Sequence, residues 1–345
     1  GYGGRTAEFE GVDARLWARA MVIGDHNPVA IVILDNCGVP AAVKERVVHK
    51  LGDVGLTSER LVVAVTHTHN APNLVGYARI LWAGRTTGEQ DERMERYTEF
   101  AAAKMAEAVR SALDDREPAH LWWAQGRATF GGNRRIVEGG QWRGFGHQRE
   151  GPVDHSLPLL VARNQAGEVK VLWANYACHC TTVGARNHVG GDWAGFANEA
   201  MEAAFPGATA LMSIGCGADI GPQPGGGLRV AKEHGEAIGV EVKRLLGNRM
   251  RKLATSPTVS GKTVQLPLSE PSRRAQWEEM KSRGSFNGQL ASSMLARLEA
   301  GEQIPAHVSY PVTSWKFGRD LAMVFLPGEV VVDYAVRLNR ELAWS

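Results

Sequence analysis

Apolar positions along the chain alternate between two spacings. Residues 30–34 form a β-branched run closed by Asp35, Asn36 and Gly38, which predicts a buried strand; residues 41–51 then carry Val43, Val47 and Leu51 at helical spacing. The alternation repeats. Residues 61–66 read as a strand, a loop holding Asn70, Pro72, Asn73 and Gly76 follows, and Met94, Tyr97, Ala101, Met105, Ala108 and Ala112 mark an amphipathic helix. Strands are then predicted over 119–128, 157–163, 169–177 and 208–214, with helices over 193–204 and 230–246. Residues 217–227 have the glycine and proline content of a loop, either a site rim or a surface turn. Residues 272–300 are polar at helical spacing and predict an exposed insertion. Residues 308–315 and 321–326 predict an antiparallel pair, and Gly328 leads into a helix expected to run to the last residue. No repeat interrupts this order. It predicts an α/β (or α+β) fold, a layered mixed sheet with flanking helices and an active site at the carboxyl ends of the strands.

Composition narrows the function classes. With 44% hydrophobic residues in 345, the chain has material for a sizeable core, either as two domains or as one large one. Lys+Arg 39 against Asp+Glu 37 leaves a formal charge of +2, interspersed along the chain, so nucleic acid is not an expected partner. No apolar run reaches the roughly 20 residues of a membrane span, and residues 1–5 do not form a signal peptide. Cys37, Cys178, Cys180 and Cys216 are too few for a disulfide framework. Trp122, Trp123, Trp142 and Trp193 read as core or groove walls.

Candidate chemistry gathers at strand ends. His67 and His69 follow the strand over 61–66, and period-two alternation would turn both imidazoles to one side. Two hydrogen-bonded structural histidines would look the same. His179 ends another apolar run; its neighbours Cys178 and Cys180 point the other way in a continuing strand and read as small core residues. Glu329 follows a strand and a Pro-Gly turn at the start of a helix, where it is either a cap or a ligand. Two imidazoles and a carboxylate match the ligand set of a catalytic zinc with an open position. Arg134 could hold an anionic or carbonyl oxygen or pair with a surface glutamate. Asp192 reads as a helix N-cap and Asp219 as a loop brace.

Taken in order, T-H-T-H at residues 66–69, N-R at Asn133 and Arg134, Y-A-x-H ending at His179, G-D-x-x-G-x-A at residues 191–197 and L-P-G-E ending at Glu329 resemble the neutral (alkaline, non-lysosomal) ceramidase family. The resemblance implies a Zn2+ amidohydrolase in which His67, His179 and Glu329 bind the metal. It also implies that His69 is a catalytic histidine beside the metal-bound water, and that Arg134, Asp219 and Gly221 line the substrate site. Gly221 stands where family members carry a serine to which catalysis has been attributed. The family's tyrosine ligand would lie beyond Ser345. The chain is therefore expected to be one ceramidase-like catalytic domain over 1–345, incomplete at both termini and without the family's immunoglobulin-like C-terminal domain. The resemblance further implies a bacterial protein, secreted or periplasmic, acting on a small amide or lipid-like substrate. An ester, a glycoside or another small conjugate is the alternative substrate, and a non-catalytic binding protein the alternative class.

Overall fold

A computed structural model of the chain describes residue 5 and residues 7–82, 84–268, 274–282 and 285–342. Alternation of side chains along Val29–Leu34 divides that strand between two cores. Ala30, Val32 and Leu34 meet Val43 and Val47 of helix Ala41–Lys50 and Ala102, Met105 and Val109 of helix Gly88–Asp114. Ile31 and Ile33 face the opposite way, toward Leu160, Trp173 and Leu211 of a second sheet. That second sheet is two-faced as well: Leu159, Leu172, Ala174 and Met212 pack on Trp193, Ala197 and Met201 of helix Asp192–Ala204 and on Ile238 and Val242 of helix Leu228–Leu246. The result is four layers, helices outside and two sheets within, an arrangement in which both sheet faces are buried and the strands read as continuous apolar runs.

In the first sheet Val29–Leu34 lies between Ala18–Ile23, antiparallel, and Leu61–Val65, parallel. In the second, Val169–Tyr176 pairs parallel with Thr209–Ile214 and antiparallel with Ser156–Asn164, which continues to Ala119–Arg127 and the short strand Arg251–Lys252. A third, antiparallel sheet of Thr258–Pro267, His307–Phe317 and Leu321–Phe325 adds Trp315 and Phe317 to the core between the sheets.

Several expectations are corrected. Asp192 is the first residue of its helix rather than the cap, and Gly191 holds the cap position without a side-chain bond. The Asp192 carboxylate instead accepts the backbone N–H groups of Thr182, Val183 and Trp193 at 3.2, 3.0 and 2.6 Å, bracing the loop after His179. The stretch 217–227 is not all loop, because Ile220–Pro222 is a buried strand paired with Gly131–Asn133. The polar region expected as an exposed insertion begins at Ser272, outside the described residues; within it helix Arg274–Ser282 buries nothing, whereas helix Ser285–Glu299 buries Ala291 and Leu295. The last helix is Val332–Glu341, and residues 343–345 lie outside the described set.

The helices Asp192–Ala204 and Leu228–Leu246 touch at Gly235 and Gly239. A Cβ at Gly235 would lie 2.5 Å from the Cβ of Phe196 and 2.7 Å from the backbone nitrogen of Ala197. Backbone cannot yield as a side-chain tip can. Gly235→Val should therefore destabilise the protein by about 3 kcal/mol or more, the upper end of overpacking effects, read as a lower midpoint in urea. A midpoint within error of the parent would refute this close packing.

Candidate metal centre

The parallel strands Val29–Leu34 and Leu61–Val65 run in register from Ala30 opposite Leu61 to Leu34 opposite Val65, so both release their chains at one edge. His67 follows two residues later, but not as part of a strand. Its φ of 62° is left-handed, a conformation that turns the chain sharply. Thr68 then forms an isolated parallel bridge with Cys180, and the His69 N–H donates to the Cys180 carbonyl at 3.3 Å. The hydroxyl of Thr68 points away and donates to Gly190 O at 2.7 Å. His67 and His69 do meet at one site, through this kink rather than through strand alternation.

The second sheet delivers His179 in the same way. Val169–Tyr176 and Thr209–Ile214 end together at Tyr176 and Ile214, and three residues on the His179 N–H donates to Ile220 O at 3.0 Å. The Trp193 indole N–H donates to the carbonyl of His179 at 2.9 Å. Cys178 and Cys180 are buried in the core, as expected of small apolar residues. Glu329 comes from the third sheet, after Leu321–Phe325 and a turn at Gly328, whose φ is 81°. It precedes helix Val332–Glu341 by three residues and does not cap it; the Asp219 carboxylate does, accepting the Val332 N–H at 2.9 Å.

One ligand atom each from His67, His179 and Glu329 lies within 4.8 Å of the others. His67 Nε2 is 3.6 Å from Glu329 Oε1, and His179 Nε2 is 3.3 Å from Oε2. The opposite ring nitrogens are both engaged by carbonyls: His67 Nδ1 is 2.6 Å from Cys37 O, and His179 Nδ1 is 2.6 Å from Gly217 O. A carbonyl accepts only, so each Nδ1 carries the proton and each Nε2 directs a lone pair inward. Two lone pairs and a carboxylate need a cation between them, and this pairing of imidazole with a backbone carbonyl is the usual outer support of a metal-binding histidine. Those three residues therefore suit a zinc-sized ion. Burial brings His179 down to about 4 and also lowers His69, keeping both neutral. Burial lowers His67 too, but its contacts with Cys37 and Glu329 outweigh this and raise it, so a proton competes with a metal there. Glu329, against His179 and near His67, is held down to about 2. Its side chain stays 49% exposed while those of His67 and His179 are buried, so the cluster opens to solvent on the Glu329 side.

The Nε2 of His69 is 3.3 Å from that of His67, placing it against the three residues. Arg134 Nη2 donates to His179 Nε2 at 2.9 Å and to Ala218 O at 2.8 Å, so arginine and metal would compete for the one Nε2 lone pair, and a metal held there would turn the guanidinium off His179. Gly221 pairs with Gly132, and a Cβ added to it would meet Arg134 at 3.4 and 3.6 Å, ordinary contact. Asp219 works inside the scaffold: besides capping Val332, it accepts from Asn133 Nδ2 at 3.3 Å, while its carbonyl takes the Arg134 N–H at 2.8 Å. Asp219→Ala should thus destabilise the protein by about 2 kcal/mol, the scale for leaving a buried donor unpaired. Asp219→Asn, which keeps an acceptor, should lose less, and equal losses in denaturant titration would refute the cap.

Cys37 was missed as a neighbour of the centre. Its thiol accepts from Tyr77 OH at 3.1 Å and lies 4.0 Å from His67 Nδ1, and Cys37, His67 and His69 also bring ligand atoms within 4.8 Å. No local period marks Cys37; it comes beside His67 because Leu34 and Val65 end side by side, a pairing between distant segments.

The family model of the neutral/alkaline non-lysosomal ceramidase N-terminal domain matches residues 1–217. No curated protein sequence matches the chain. Among solved structures, the neutral ceramidase from Pseudomonas aeruginosa is similar over 99% of this chain at 18% identity and a TM-score of 0.72. A ceramidase complexed with C2 is similar over 99% at 17% identity and a TM-score of 0.73. The shared fold is thus the α/β arrangement of those proteins, and this chain spans 61% and 62% of their lengths.

Proposed function

Because this chain belongs to the neutral/alkaline non-lysosomal ceramidase family, we propose that it is a zinc-dependent hydrolase that cleaves the amide bond of an N-acyl, ceramide-like lipid. The observation that supports the reading most directly is the convergence of His67, His179 and Glu329, with both imidazoles held by carbonyls in the tautomer a metal requires. When bound, zinc supplies a Lewis acid that polarises a carbonyl and brings a water toward neutral pKa.

The chain's own residues account for the remaining chemistry. His69, neutral at pH 7 and adjacent to the ligand set, accepts the proton of the attacking water and returns it to the departing amine. Arg134, fixed through Ala218, holds the carbonyl oxygen as negative charge develops on it. Gly221 lies beside Arg134 in the buried strand Ile220–Pro222, and Asp219 keeps Arg134 and the Glu329 segment in register. His67 and His179 are buried and Glu329 is half exposed, so the substrate enters from the Glu329 side.

The test is hydrolysis by the full-length, zinc-loaded protein of matched N-acyl amide, ester and glycoside substrates. Cleavage of the amide supports the proposal. Exclusive cleavage of ester or glycoside would reassign the substrate class, and metal analysis without stoichiometric zinc would favour a binding protein.

A further inference from the structure

One residue after Arg134 the chain forms an antiparallel hairpin, Arg135–Glu138 with Gln141–Phe145, turned through Gly139 and Gly140 at φ of 58° and 75°. None of its residues is buried. Val137, Trp142 and Phe145 are 47%, 56% and 66% exposed, so Trp142 is not a core residue, one of the two readings its sequence allowed. The three form one patch. Val137 and Trp142 are cross-strand partners, and Trp142 packs edge-to-face on Phe145 at 5.7 Å.

An apolar cluster left exposed to water at the tip of a hairpin marks an interaction surface. Its surroundings select the partner. Arg135, Arg143 and Arg149 stand on or beside the hairpin against Glu138 and Glu150, and of these Glu138 lies 3.8 Å from Arg143. Tryptophan with an apolar neighbour and a surplus of arginine is the composition that seats a surface segment in the headgroup region of an anionic bilayer. The patch is also joined to the metal centre: the Phe145 ring lies 5.0 Å from the guanidinium of Arg134, which reaches His179.

We propose that this hairpin docks on an anionic lipid surface, seating Val137, Trp142 and Phe145 among the lipids and placing the metal centre over a lipid-borne substrate. The proposal rests on the hydrolase reading only for what is presented to the site, since docking can be measured without turnover. The full-length protein should sediment with vesicles of phosphatidylcholine and phosphatidylglycerol more than with phosphatidylcholine alone. Val137→Ser/Trp142→Ser should reduce the bound fraction about tenfold at unchanged zinc content and circular dichroism, a loss expected when two apolar anchors leave the interface. Arg143→Glu should remove the preference for the anionic vesicles. Docking is overturned if the parent binds neither vesicle, if the double variant binds as well as the parent, or if the patch instead mediates a concentration-dependent dimer. Turnover of a soluble short-chain N-acyl amide reads the other reading separately: vesicle binding without turnover sinks the hydrolase and leaves the docking, and turnover without binding does the reverse.

Discussion

His67→Ala should strip zinc from the protein, while His69→Ala should retain it and lose roughly 100-fold or more in turnover, the usual scale for a general acid or base. The two residues are separated by one position, yet their environments differ. His67 turns its Nε2 lone pair toward both Glu329 and His69 because Cys37 O holds the other ring nitrogen, and removing it takes one of the three candidate ligands from the set. His69 touches His67 and lies outside the triple with Glu329. Metal content by plasma emission and rates on an N-acyl amide separate the roles. Equal metal loss in both variants would mean that the two histidines exchange assignments.

Exhaustive chelation should abolish activity, zinc should restore it, and serine-directed acylating reagents should leave it unchanged. Where relatives are expected to carry a serine this chain has Gly221, which offers no nucleophile, whereas the imidazole and carboxylate set is present in full. A metal provides a nucleophile from water near neutral pH without an acyl-enzyme. Gly221→Ser fits against Arg134 without displacing backbone, and it should leave the rate within an order of magnitude. Activity that survives chelation, or an acyl group trapped on any serine, would sink this mechanism.

Much of the fold was legible because the inner strands are buried on both faces. Val29–Leu34 and Thr209–Ile214 read as apolar runs bounded by turn residues, and such runs carry their assignment locally. Thr258–Pro267 was not legible: most of its side chains are exposed, and its pairing with His307–Phe317 is a long-range fact that no local period encodes. Ala18–Ile23 was missed for another reason: it is largely buried, but its alanines and Arg19 interrupt the apolar run. The order of the histidine and glutamate motifs placed them at strand ends, but the kink at His67, the carbonyl of Cys37 and the capping of Val332 by Asp219 depend on contacts between distant segments. Trp142 could not be placed between core and surface for a related reason, since an exposed aromatic and a core aromatic have the same spelling.

The left-handed backbone of His67 sets ligand and scaffold at odds. A non-glycine residue at φ 62° is strained by roughly 1 to 2 kcal/mol, although histidine tolerates the region better than branched residues do. With the imidazole already removed, glycine should be the better occupant: His67→Gly should unfold at a higher temperature than His67→Ala, by an amount corresponding to about 1 kcal/mol. A library evolved for heat resistance alone, with no demand on metal or turnover, would then drift toward glycine or asparagine at position 67. Such a selection would yield a sturdier protein by discarding the residue on which its chemistry is proposed to depend.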